Sequence, residues 1–139
     1  MNLFIDTSIF VDVLRKETVK SSKILFDSVL EDNDGFTSSI TVAELSVGAH
    51  LSSKSDSIEK TMELLSLISV ININYKIAFH GGKIYSELVR RGLEIELNDC
   101  LIAATGLSVG IAEIVTRNID HFERIDGIYA TTPEDLGFV

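Results

Sequence analysis

The stretch Leu3-Phe4-Ile5-Asp6-Thr7-Ser8 sets a short apolar run against an acid and two hydroxyls. Such a run reads as a buried strand breaking into a polar turn and a helix start. A second stretch of the same kind lies far downstream, where Ile111 to Val115 stops at Thr116-Arg117-Asn118. Between them, Ser22 to Leu30 carries Ile24, Leu25, Val29 and Leu30 at helical spacing and ends in the turn Glu31-Asp32-Asn33-Asp34-Gly35. Phe36 to Ser39 reads as a strand, and Thr41-Val42-Ala43-Glu44 as a helix opening with a capping box. An amphipathic helix over Ser57 to Ser69 leads into a strand over Val70 to Ile73. Lys76 to Arg91 reads as a helix weakened at Gly81-Gly82 and ended by Gly92. Asn98-Asp99 introduces the nearly all-buried helix Cys100 to Val109, and Ile128 to Ala130 supplies a last strand. Strands separated by helices predict an α/β fold with a mainly parallel sheet.

The chain has 139 residues, a length for one domain over 1–139, and 45% of them are hydrophobic, enough for an ordinary globular core. Its single cysteine, Cys100, permits no intrachain disulfide and suits a reducing compartment. The longest stretch without a charged residue, Cys100 to Ala112, is too short to span a bilayer. Asp6 and the late first basic residue, Arg15, break the pattern of a signal peptide. A soluble cytoplasmic protein without membrane association is expected.

A net charge of −9 argues against a non-specific nucleic-acid binder. The objection weakens if several acids converge and hold divalent cations, because the cations then present positive charge to phosphates. Four acids stand where an open α/β sheet gathers functional groups, at strand ends and adjoining helix starts. Asp6 follows the first strand, Glu44 lies in the first turn after the second, Asp99 starts the buried helix, and Asp120 follows Thr116. Packed together they would repel, so they suit a site for Mg²⁺ or Mn²⁺. Each also has a plain structural role open to it. Glu44 suits the capping box, Asp99 the positive end of its helix, Asp120 a cap on Ile119 to Arg124, and Asp6 a turn.

Four segments together resemble the PIN-domain ribonucleases, and among them the VapC toxins of prokaryotic toxin–antitoxin pairs. They are Phe4-Ile5-Asp6-Thr7-Ser8 with Val11-Asp12-Val13-Leu14, Ser39-Ile40-Thr41-Val42-Ala43-Glu44-Leu45-Ser46-Val47-Gly48-Ala49, Asn98-Asp99-Cys100-Leu101-Ile102-Ala103-Ala104, and Val115-Thr116-Arg117-Asn118-Ile119-Asp120-His121-Phe122. No one of them is specific alone, but their order and spacing across almost the whole chain are. The resemblance implies a three-layer α/β/α sandwich, often a homodimer, inhibited by a cognate antitoxin protein. It implies that Asp6, Glu44, Asp99 and Asp120 form an acidic site, with Asp6 and Asp99 the metal ligands and Thr7, Ser8, Thr116 and Asn118 in support. The sequence departs from the family at Ile125-Asp126-Gly127, where Ile-Pro-Gly is usual.

The function so implied is Mg²⁺- or Mn²⁺-dependent hydrolysis of RNA phosphodiester bonds, the ion activating water for in-line attack. The alternative is a PIN-like module that binds RNA or protein without cutting. Arg117 adjoins the proposed site and is a candidate phosphate contact, whereas Arg15, Lys16, Lys20 and Lys23 suit a solvated face or a substrate path. His50, His80 and His121 lack zinc spacing and read as surface or core residues, and Cys100 reads as an inert buried thiol. A receiver-type domain would need a paired acid where Thr7-Ser8 stands. A dehalogenase-like phosphatase would need an Asp in place of Ser8.

Overall fold

A computed structural model describes all 139 residues. The chain runs β1 (Asn2–Ile5), α1 (Thr7–Leu14), α2 (Lys20–Val29), β2 (Asp34–Ser38), α3 (Ser39–Leu51) and α4 (Ser57–Ser66). It continues β3 (Ser69–Ile71), α5 (Tyr75–Arg90), α6 (Leu97–Ser108), β4 (Glu113–Val115), α7 (Ile119–Glu123) and β5 (Tyr129–Thr131). All five strands are parallel, in the order β3-β2-β1-β4-β5. The chain therefore winds outward from β1 in both directions, and the crevice between β1 and β4 is the switch point where such sheets bind ligands.

The period-two alternation of β1 builds both cores. Leu3 and Ile5 face a cluster with Ile9, Phe10, Leu25, Phe26, Leu45 and Leu64, whereas Phe4 faces Ile84, Leu88, Ile102, Ala103 and Phe122 on the other side. Helices thus cover both sheet faces, giving the three-layer sandwich. Phe10 and Phe26 meet edge to face, with ring centroids 5.0 Å apart.

Two local expectations change. α3 begins at Ser39, and its cap is Ser38, whose hydroxyl accepts the Ile40 N–H at 3.2 Å; the expected Thr41–Glu44 capping box does not form. α5 runs unbroken through Gly81-Gly82, and Gly81 lets α6 approach closely. A Cβ at Gly81 would lie 2.5 Å from Leu101 Cδ2 and 3.3 Å from Leu101 Cα. The turn at Ile125-Asp126-Gly127 forms without proline, Gly127 taking φ +83° while Asp126 projects into solvent 3.5 Å from Arg91. No helix is long and apolar enough to cross a membrane.

Candidate active site

Asp6 stands at the switch point. Its N–H donates to Val115 O at 2.9 Å, extending the β1–β4 pairing, and its side chain caps α1. Capping and site-building are therefore the same placement. Although Asp6 is only 2% exposed, its Oδ2 receives the Ser8 hydroxyl at 2.7 Å, the Thr116 hydroxyl at 2.8 Å and the Ser8 N–H at 3.3 Å. Its Oδ1 has no protein donor, yet no fully buried polar atom lacks a partner, so Oδ1 opens to the cleft. Thr116 in turn accepts the Asn118 N–H at 2.9 Å.

Glu44 reaches the same region from α3. Thr7 donates its hydroxyl to Glu44 Oε1 at 2.8 Å and, having no second proton, accepts from Thr41 at 2.9 Å. The residues of the expected capping box thus orient Glu44 toward Thr7. Asp99 comes from the first turn of α6, its side chain 14% exposed. Burial, then the negative charge of Asp6 and more weakly that of Glu44, push its carboxyl up to about 6, against the pull of His121. The neighbouring Cys100 thiol is pushed up to about 11 by burial and by Asp99, as suits an inert buried residue.

The segment after β4 divides its residues sharply. Arg117 is held rather than free: Nε donates to Asp12 Oδ2 at 2.7 Å, Nη1 to Glu134 Oε2 at 2.5 Å, and Nη2 to the Ser21 and Ser22 hydroxyls at 3.2 and 3.1 Å. Asp120 is not brought to the other acids. Its side chain is 85% exposed and pairs with Arg124 at 2.9 Å, because buried Phe122 fixes the rotation of the five-residue α7. That rotation aims the next residue inward instead, and His121 Nδ1 lies 3.3 Å from Asp99 Oδ2.

Asp6, Thr7, Ser8, Glu44, Asp99, Arg117 and Asn118 line one open cleft of about 730 Å³. His121, Asp12 and Glu134 also line it, and the sequence reading assigned none of them to the site. Asp12 had one signal, an acid embedded in the apolar helix Ile9 to Leu14; Glu134, distant in sequence, had none. Six carboxylates and two arginines face this space, a balance that repels a polyanion unless cations intervene.

Residues 3–128 match the family model of the PIN domain. The chain belongs to the PIN domain family. This PIN domain is 32% identical over 129 residues to Ribonuclease VapC2 of Rickettsia felis, covering 92% of this chain and 95% of that one. It is 37% identical over 92 residues to the tRNA(fMet)-specific endonuclease VapC of Salmonella typhimurium, covering 66% of this chain and 69% of the relative. Among solved structures it superposes on a chain of VapBC2 from Rickettsia felis, crystallised bound to a DNA fragment from their promoter. That match has a TM-score of 0.81 at 29% identity and covers 95% and 98% of the two chains. DNA-bound VapBC from Salmonella typhimurium gives 0.81 at 28% identity, covering 96% and 99%.

The donor set of this PIN domain fits a hard divalent cation. Asp6 Oδ1 is open to the cleft, and Asp99 is a half-buried acid raised by its burial and then by like charges. As the side chains lie, no three His, Cys, Asp or Glu groups converge on one point. That spacing suits Mg²⁺ or Mn²⁺ held by one or two carboxylates and completed by water, and does not suit a fully caged ion.

Proposed function

We propose that this PIN domain is a Mg²⁺- or Mn²⁺-dependent endoribonuclease and the toxin of a type II toxin–antitoxin pair. One observation carries the reading: Asp6, Glu44 and Asp99, from three separate parts of the chain, line one cleft, where burial and then the charges of Asp6 and Glu44 raise the proton affinity of Asp99. The similarity to proteins named as VapC ribonucleases, and to structures that are VapBC complexes, supports RNA as substrate and a cognate antitoxin as partner. Exposed Val47 and Leu51 on α3 and Met62 on α4 further support a protein partner, either that antitoxin or a second copy in a homodimer. A cytoplasmic site of action goes with this substrate.

The bound ion would supply water activation and neutralisation of charge on the phosphoryl oxygens. Asp6 and Asp99 would hold it, and Glu44 would add the third negative charge. Ser8 and Thr116 fix the Asp6 carboxylate through Oδ2, and Thr7 fixes Glu44. The Asn118 backbone locks the Thr116 hydroxyl toward Asp6. With the Arg117 guanidinium engaged by Asp12 and Glu134, the other arginine of the cleft, Arg15, is the freer contact for phosphate.

The test is cleavage of a panel of structured and single-stranded RNAs by purified protein in Mg²⁺, Mn²⁺ or EDTA, beside an Asp6→Asn/Asp99→Asn variant prepared identically. Metal-dependent cleavage that the variant lacks is the expected result. A folded protein that binds the ion and cuts no RNA would move the function to a binding module.

A further inference from the structure

The stretch from Thr41 to Glu44, expected to cap a helix, is tied instead to α1. Thr41 lies inside α3 and is 0% exposed. A threonine within a helix often spends its proton on the carbonyl one turn back, as Thr61 does on Ser57 O at 2.8 Å and Thr105 on Leu101 O at 2.6 Å. Thr41 makes no such bond, and its hydroxyl meets Thr7 Oγ1 of α1 at 2.9 Å. Proton count fixes the direction of that bond. The Glu44 carboxylate can only accept, so the one proton of Thr7 goes to Glu44 Oε1 at 2.8 Å, and the proton between the two threonines belongs to Thr41. Glu44 lines the cleft, is half-buried, and has Thr7 as its one hydrogen-bond donor.

We infer that Thr41 is the positioning residue of Glu44: its buried hydroxyl, acting through Thr7, holds that carboxylate in the cleft. The inference deepens the nuclease reading above, on which its effect on cleavage rests. Hydroxyls that all donate in one direction strengthen one another, because Thr7 donates better while it also accepts. Without the Thr41 proton, Thr7 keeps a choice between the two χ1 wells open to a helical threonine, and the one donor to Glu44 is no longer fixed. Thr41 does not itself line the cleft, so its influence on RNA passes through Glu44.

The experiment compares the parent with Thr41→Val, Thr41→Ser and Thr41→Ala by two readouts. Valine keeps the buried shape and removes the donor, serine restores the donor, and alanine against serine isolates the hydroxyl should valine not be accommodated. The first readout is ¹³C NMR of the side-chain carboxyl carbons in EDTA, with Glu44 assigned by its absence in Glu44→Gln. The Glu44 resonance should be displaced in Thr41→Val and Thr41→Ala and return to its parent position in Thr41→Ser. The second is RNA cleavage at saturating Mn²⁺. There kcat should fall about 10-fold in Thr41→Val with KM within about twofold of the parent, and Thr41→Ser should recover it. A Glu44 resonance or a kcat unmoved in folded Thr41→Val would overturn the inference and leave the nuclease reading standing. So would a Thr41→Ser protein that departs from the parent as far as Thr41→Ala. RNA left uncut by the parent would overturn the nuclease reading, and the metal-free resonance would still decide what holds Glu44.

Discussion

The Ser8 hydroxyl accepts the N–H of Arg117 at 2.9 Å and donates its own proton to Asp6 Oδ2 at 2.7 Å. Two segments separated by 109 residues in sequence are thereby joined by one oxygen, and the acid at the switch point is held by both. Ser8→Ala leaves the Arg117 amide without a partner and Asp6 with one hydroxyl donor fewer. It should cost about 1–2 kcal/mol of stability and weaken Mn²⁺ binding. Urea denaturation and Mn²⁺ titration of the same preparation check both.

Asp99 links activity to stability with opposite signs. Its folded carboxyl is raised from 3.8 to about 6, so the folded state holds a proton that the unfolded state has released. Without added metal, stability should fall as pH rises from about 4 to about 6 and level off above, the cost being complete there. Asp99→Asn removes this slope. At pH 7 it should be more stable than the parent by about 1–2 kcal/mol while losing cleavage. Denaturation midpoints across pH in EDTA provide the measurement; a variant less stable than the parent at pH 7 would contradict the electrostatic account.

Glu134 behaves in the opposite sense. Its hydrogen bond from Arg117 lowers its carboxyl from 4.5 to about 2, with a further contribution from Ser21. The stabilisation is fully present above about 4.5 and disappears as pH falls toward 2. Because the side chain is 43% exposed, solvent screening reduces the effect, and Glu134→Gln should cost on the order of 1 kcal/mol at neutral pH. The gap between variant and parent should close in acid, which a pH series of thermal midpoints would reveal.

The two adjacent glycines of α5 should respond differently to alanine. Gly82→Ala meets nothing within 4 Å and should stabilise the helix by up to about 1 kcal/mol. Gly81→Ala drives a methyl into Leu101 and should destabilise by about 1–3 kcal/mol, since Leu101 Cα is backbone and cannot swing aside. Calorimetry of the pair separates helix propensity from interhelical packing.

Asp120→Asn removes only an exposed pair with Arg124. Cleavage should stay within about twofold of the parent, as expected of a surface ion pair, whereas Glu44→Asn should lose most activity. Initial rates at saturating Mn²⁺ decide the matter; a collapse of activity in Asp120→Asn would return that residue to the site.

Local patterns in the chain determined the architecture and much of the site. The apolar runs at Leu3–Ile5 and Ile111–Val115, each ending in polar residues and separated by helical periods, specify parallel strands joined by crossovers. They also place Asp6 and Thr116 at strand ends. Asp99 follows from a helix start, whereas Glu44, expected in a first turn, lies one turn further into α3 because that helix begins at Ser39. Only the tertiary structure decided which side chains of the segment after β4 face inward. On a helix as short as Ile119–Glu123 the sequence carries no periodicity to phase it, and the burial of Phe122 turns His121 toward Asp99 and Asp120 toward solvent. The same holds for Arg117, whose partners Asp12 and Glu134 come from opposite ends of the chain. Contacts of that range are set by the closure of the β1–β4 crevice, and no local pattern encodes them.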